Sequence, residues 1–80
     1  MISEMPADSI LDTFGLLCPM RIIKTASRIK QLQAGEVLKV LSDDPGILED
    51  MPAWCTTSGN ELIRIDEVGR EFHVYIRKKR

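Results

Sequence analysis

The spacing of apolar residues along this chain changes at Pro19, Glu36, Asp43 and Glu61, and each change marks a new element. Ile10 to Thr13 is a short strand candidate closed by Gly15. From Pro19, residues Ile22, Ile23, Ala26, Ile29 and Gln33 recur at helical spacing, while Arg21, Lys24, Arg28 and Lys30 take the other face. Cys18 is placed as N-cap, Pro19 as the first helical residue, and Leu17 and Ile22 as a hydrophobic staple across the start. Gly35 is placed as the residue that ends this helix.

Glu36 to Ser42 reads as a central strand, because Val37-Leu38-Lys39-Val40-Leu41 is almost continuously apolar or β-branched. Asp44 as N-cap and Pro45 after it start a second helix through Ile47, Leu48, Met51, Trp54 and Cys55, stopped by Gly59. Pro52 removes an N–H within it and predicts a kink or a restart. Two alternating runs, Glu61 to Glu67 and Glu71 to Arg77, flank a turn at Val68-Gly69-Arg70 and form a hairpin. Alternation turns Ile63, Ile65, Phe72, Val74 and Ile76 inward. It sends Leu62, Arg64, His73, Tyr75 and Arg77 outward, joined by Val37 and Leu41.

The predicted fold is therefore a two-layer α/β (α+β) sandwich of order βαβαββ: a four-stranded mixed sheet with two helices on one face. Residues 1–9 are expected to be a flexible extension and residues 10–80 a single domain. Leu62 then lies with Val37, Leu41 and Tyr75 on the uncovered face, either as ordinary surface or as a patch for self-association.

Eighty residues allow one modest core, since a chain this short buries roughly 60% of its unfolded surface. Hydrophobic content of 44% and charged content of 29% exclude disorder. A net charge of −1 argues against nucleic-acid binding by bulk charge. No apolar run approaches ~18 residues, and Met1-Ile2-Ser3-Glu4-Met5-Pro6 lacks the features of a secretory signal. Two cysteines are too few for a disulfide scaffold, so a cytoplasmic domain with reduced thiols is expected. Neither metal nor cofactor is expected: there is no Cys/His set for zinc, His73 being the one histidine, and no Gly-rich phosphate loop.

Candidate chemistry centres on Cys18. A thiol at the first turn of a helix meets unsatisfied N–H groups that carry about half a positive charge, and these favour the thiolate. A reactive thiol and a small hydrophobe preceding a helix are both compatible with the pattern. Gly15, Pro19 and Arg21 would support the helix start, with Arg21 lying near the sulfur or reaching into solvent. Lys24 and Arg28, with Arg21, form a candidate docking surface for a partner. Cys55 follows Trp54 late in the second helix and reads as a buried structural residue rather than a redox partner of Cys18. His73 reads as a surface residue.

Leu11-Asp12-x-x-Gly15-Leu16-x-Cys18-Pro19, Gly35-Glu36, Asp43-Asp44-Pro45, Asp50-x-Pro52-x-Trp54 and Gly59-x-Glu61 occur in one order from about residue 10 to residue 77. This set resembles the TusA/SirA-like sulfur-carrier family. The resemblance implies a two-layer sandwich similar to the C-terminal domain of a bacterial translation initiation factor. It also implies that Cys18 accepts a sulfane sulfur as a persulfide and hands it on. Its partners would be a cysteine desulfurase or rhodanese-type donor and a downstream acceptor in tRNA thiolation, cofactor sulfuration or sulfur oxidation, with no membrane partner and no direct binding to nucleic acid. Two positions depart from the family pattern: Arg21 stands where the motif Cys-Pro-x-Pro has its second proline, and Phe14 where a basic residue is common. The competing readings are a non-catalytic RNA- or protein-binding regulatory module using the basic helix and C-terminal tail, and a thiol-redox protein pairing Cys18 with Cys55.

Overall fold

The computed structural model describes residues 7–17 and 20–79. Strand β1 (Ser9–Asp12) leads to helix α1 (Met20–Lys30), strand β2 (Val37–Ser42) and helix α2 (Ile47–Ser58). Strands β3 (Glu61–Val68) and β4 (Glu71–Arg77) complete the order. The sheet runs β1-β2-β4-β3, with β1 parallel to β2 and the other pairs antiparallel. The predicted βαβαββ sandwich with its mixed sheet is thus the architecture observed. Leu11, Leu38, Val40, Val74 and Ile76 line one sheet face and pack with Ile29 of α1 and with Ile47, Met51 and Cys55 of α2.

Boundaries moved where side chains competed with the apolar period. Asp8 and Ser9, expected in a flexible extension, belong to the sheet. Ser9 opens β1, and Asp8 exchanges bonds with Val37: its N–H donates to the Val37 carbonyl, and its carboxylate accepts the Val37 N–H, both at 2.8 Å. Residues 1–6 lie outside the described residues. α1 stops at Lys30, not at Ala34. Gly35, with φ of +92°, instead occupies a turn closed by the Glu36 N–H on the Gln33 carbonyl, and Gln33 N–H donates to the Glu36 carboxylate. Gly59 ends α2 as expected, in the left-handed region and donating to the Cys55 carbonyl. α2 runs unbroken through Pro52, so no restart occurs there.

The hairpin holds the main correction. β3 slips register between Leu62 and Arg64, a bulge at Ile63. One extra residue inverts the alternation on its N-terminal side. Leu62 therefore faces Ile76 and packs on the core, where an outward position was predicted, while Ile65 opposite Val74 stays inward. The uncovered face loses Leu62, and its centre is closed rather than open: Tyr75 is only 1% exposed beneath the Lys39 ammonium, 5.6 Å from the ring centroid. Val37 and His73 are also buried, and His73 Nε2 lies 3.1 Å from Glu71 Oε1, so the histidine is not a surface residue. Leu62→Lys should accordingly cost about 2 kcal/mol, because it forces a charge into the core edge. Chemical denaturation measures this; a change under ~0.5 kcal/mol would return Leu62 to the surface.

Candidate functional site

The chain between β1 and α1 is fixed to the end of β2. Thr13, fully buried, donates its N–H (2.9 Å) and its hydroxyl (2.5 Å) to the Leu41 carbonyl. Gly15, at φ +77°, sits in a turn closed by Leu16 N–H on the Thr13 carbonyl, a backbone that disfavours any side chain. Its own N–H donates to the Asp43 carboxylate at 3.3 Å. Cys18 and Pro19 lie outside the described residues, and with them the predicted N-cap and first-turn placements. Their neighbours are joined directly: Met20 N–H donates to the Leu17 carbonyl at 2.7 Å.

Arg21 does not reach into solvent, which was one of its two expected placements. It is 2% exposed and shares the buried stripe of α1 with Thr25 and Ile29. Its Nη1 donates to Asp44 at 2.9 Å and its Nη2 to Asp50 at 2.6 Å, so the guanidinium ties the first turn of α1 to α2 and the loop before it. Burial works against the charged form, but the hydrogen bonds and the fields of the two carboxylates prevail and hold it above its ordinary value. Nε is buried without a hydrogen-bond partner among the described residues, a local cost of about 1–3 kcal/mol.

Asp44 has two tasks. Oδ1 accepts the Gly46 N–H at 2.9 Å, and Oδ2 accepts Arg21. The Gly46 amide first, and then Arg21, keep its carboxyl below the ordinary value of 3.8. The regular helix begins only at Ile47, with Gly46 at the N-cap and Asp44 capping the turn that precedes it. Asp43 and Asp44 therefore grip the chain on both sides of Cys18, one at Gly15 and the other at Arg21. No single motif announces this. The available signal was a charge imbalance: α1 has no acidic residue, while Asp43, Asp44, Glu49 and Asp50 crowd the start of α2.

The predicted basic surface is reduced accordingly. Lys24 is exposed, but Arg28 turns its Nη1 to Ser9 Oγ (2.9 Å) and the Ile10 carbonyl (3.3 Å). In the tail, Arg77 and Lys79 pair with Glu61, and Lys78 Nζ donates to the Leu32 carbonyl. Cys55 is 3% exposed, and burial pushes its thiol up to about 11. No group of three or more His, Cys, Asp or Glu among the described residues could hold a metal ion, and no described helix is long and apolar enough to cross a membrane.

Residues 9–78 match the model of the family described as Sulfurtransferase TusA. The chain belongs to that family. It is 38% identical over 71 residues to the sulfur carrier protein TusA of Allochromatium vinosum, covering 89% of this chain and 93% of that one. It is 40% identical over 74 residues, 92% of this chain, to YrkF of Bacillus subtilis, and spans only 40% of that longer relative. A crystal structure of a SirA-like protein from Desulfitobacterium hafniense superposes with a TM-score of 0.76 at 20% identity. That superposition covers 90% of this chain and 99% of the other, a likeness of fold. In this member of the family, Arg21 joins α1 to α2 and the loop before it.

Two measurements test the clasp. A Cβ on Gly46 would stand 2.9 Å from Arg21 Nη2 and 3.3 Å from Asp44 Oδ1. Gly46→Ala, at an ordinary helical φ of −57°, should therefore destabilise by about 1 kcal/mol, where relief of glycine's entropy would otherwise stabilise. Because the folded Asp44 pKa lies below 3.8, the folded state binds fewer protons than the unfolded one in the interval below that value. The contribution of Asp44 is complete above pH 3.8 and falls away as pH drops through the lower folded value. Asp44→Asn should flatten that acid limb; an unchanged limb would separate Asp44 from the clasp.

Proposed function

We propose that this chain is a sulfur carrier in which Cys18 holds the transferred sulfur as a persulfide. The observation that carries the reading is the burial of Cys55: a TusA-family chain with two cysteines, one sealed in the core with a raised pKa, has one other thiol to work with. The first turn of α1 has no acidic residue to cancel the positive end of the helix, which favours a thiolate beside it.

The Cys18 thiolate attacks the outer sulfur of a donor persulfide. The donor S–S bond breaks, its cysteine leaves as thiolate with the electron pair, and a new S–S bond forms on Cys18. An acceptor thiolate then attacks the terminal sulfur and restores Cys18. Each step exchanges one S–S bond for another, so no outside oxidant is consumed. The chain serves as a carrier with little turnover of its own. Its donor is a cysteine desulfurase or a rhodanese-type protein. Its acceptor belongs to tRNA thiolation, cofactor sulfuration or sulfur oxidation, and the cytoplasm with its reduced thiols is the compartment that suits it.

Incubation with a cysteine desulfurase and cysteine should add one sulfur to the intact mass, removable by a reductant. Cys18→Ser should abolish the addition and Cys55→Val should keep it. Loading retained in Cys18→Ser would overturn the assignment.

A further inference from the structure

The exposed side of α1 is not an ordinary solvated helix face. Met20, Ile23, Lys24, Ser27 and Lys30 form its outward stripe at helical spacing. Solvated stripes are normally polar, yet Met20 is 45% and Ile23 53% exposed, and Leu17, just before Cys18, is 70% exposed. Three large apolar side chains thus stand at the Cys18 end of the helix. Lys24 and Lys30 follow, the latter about 15 Å beyond Met20 at 1.5 Å per residue. Arg21 is neutralised inside by Asp44 and Asp50, Arg28 is turned to Ser9 and Ile10, and α1 has no acidic residue. The helix therefore presents an apolar end and a cationic end on one surface.

We propose that Leu17, Met20 and Ile23 form the contact surface for the protein that exchanges sulfur with Cys18. That partner presents an apolar patch beside its reactive sulfur and carboxylates farther along, opposite Lys24 and Lys30. The inference rests on the sulfur-carrier reading and names what that reading leaves open: how the partner is recognised. A transfer complex must form and part again, and a small apolar centre with a charged rim suits brief contacts at the low end of interface size. The charges steer the encounter, while the apolar side chains set how long it lasts. A second copy of the chain fits poorly, because α1 has no carboxylate to set opposite the Lys24 and Lys30 of its twin. RNA fits poorly as well, since the stripe has no aromatic side chain on which a base could stack.

The test compares two ways of loading Cys18. Sodium polysulfide needs no docking: the thiolate attacks a terminal sulfur and a shorter polysulfide anion leaves. Loading from a cysteine desulfurase with cysteine, or from a rhodanese with thiosulfate, needs a protein to reach the sulfur. Ile23→Ser and Met20→Ser should load from polysulfide at the wild-type rate. They should load about tenfold more slowly from whichever protein donor serves the wild type. Lys24→Glu should slow protein loading and flatten its dependence on salt. Equal protein-donor rates in the variants and the wild type would overturn the surface while leaving the carrier reading intact. So would loading of the wild type from polysulfide but from neither protein, a dimer that Ile23→Ser dissolves, or RNA binding that Lys24→Glu abolishes. A wild type that polysulfide does not load at Cys18 would overturn the carrier reading and the inference together.

Discussion

A guanidinium can be withdrawn from water only where carboxylates meet it, and Arg21 is withdrawn at the junction of the two helices. Its pairing with Asp44 and Asp50 places the first turn of α1 against the start of α2. Removing either acid leaves a buried charge less than answered. The pair is thus weak evidence for net stability and strong evidence for a defined geometry. The unpartnered Nε shows that the arrangement carries a local cost.

The loop that answers Arg21 also holds the chain entering Cys18. Asp43, adjacent in sequence to Asp44, accepts the Gly15 amide, and Thr13 is bonded to the end of β2. The segment entering Cys18 and the helix leaving it are therefore held by neighbouring residues of one loop. The same inward turn of Arg21 leaves Met20 and Ile23 on the outside. Burying a cation and exposing two apolar residues are two consequences of a single rotation of α1 about its axis.

The types and order of the elements were legible because helix and strand periods differ and because Pro19, Asp44 and Gly59 punctuate the chain at compatible places. Three details were not. Arg21 was assigned to the polar face because residue type alone gives it that face; only the unmatched acids at the start of α2 hinted otherwise. Gly35 resembled a helix stop, but it lies five residues after α1 has ended, and the Gln33–Glu36 bond makes it part of a separate turn. The bulge at Ile63 sent Leu62 inward, and strict alternation cannot anticipate an inserted residue. Eight residues in β3 against seven in β4 were its trace. Of the candidate site, the buried state of Cys55 was legible from its place beside Trp54, and the apolar end of α1 was hidden by counting Ile23 as core.

The rate of Cys18 alkylation against pH, with Cys55→Val as background, is the most direct measurement, made before and after the clasp is loosened by Asp44→Asn, which leaves Asp50 paired with Arg21. If the clasp sets the helix start that holds the thiolate, the midpoint lies below the free-cysteine value of ~8.5 in the parent and rises toward it in the variant, although a nearby negative charge has been removed. A midpoint at or above ~8.5 in the parent, or one that the variant leaves unmoved or lowers, would contradict this.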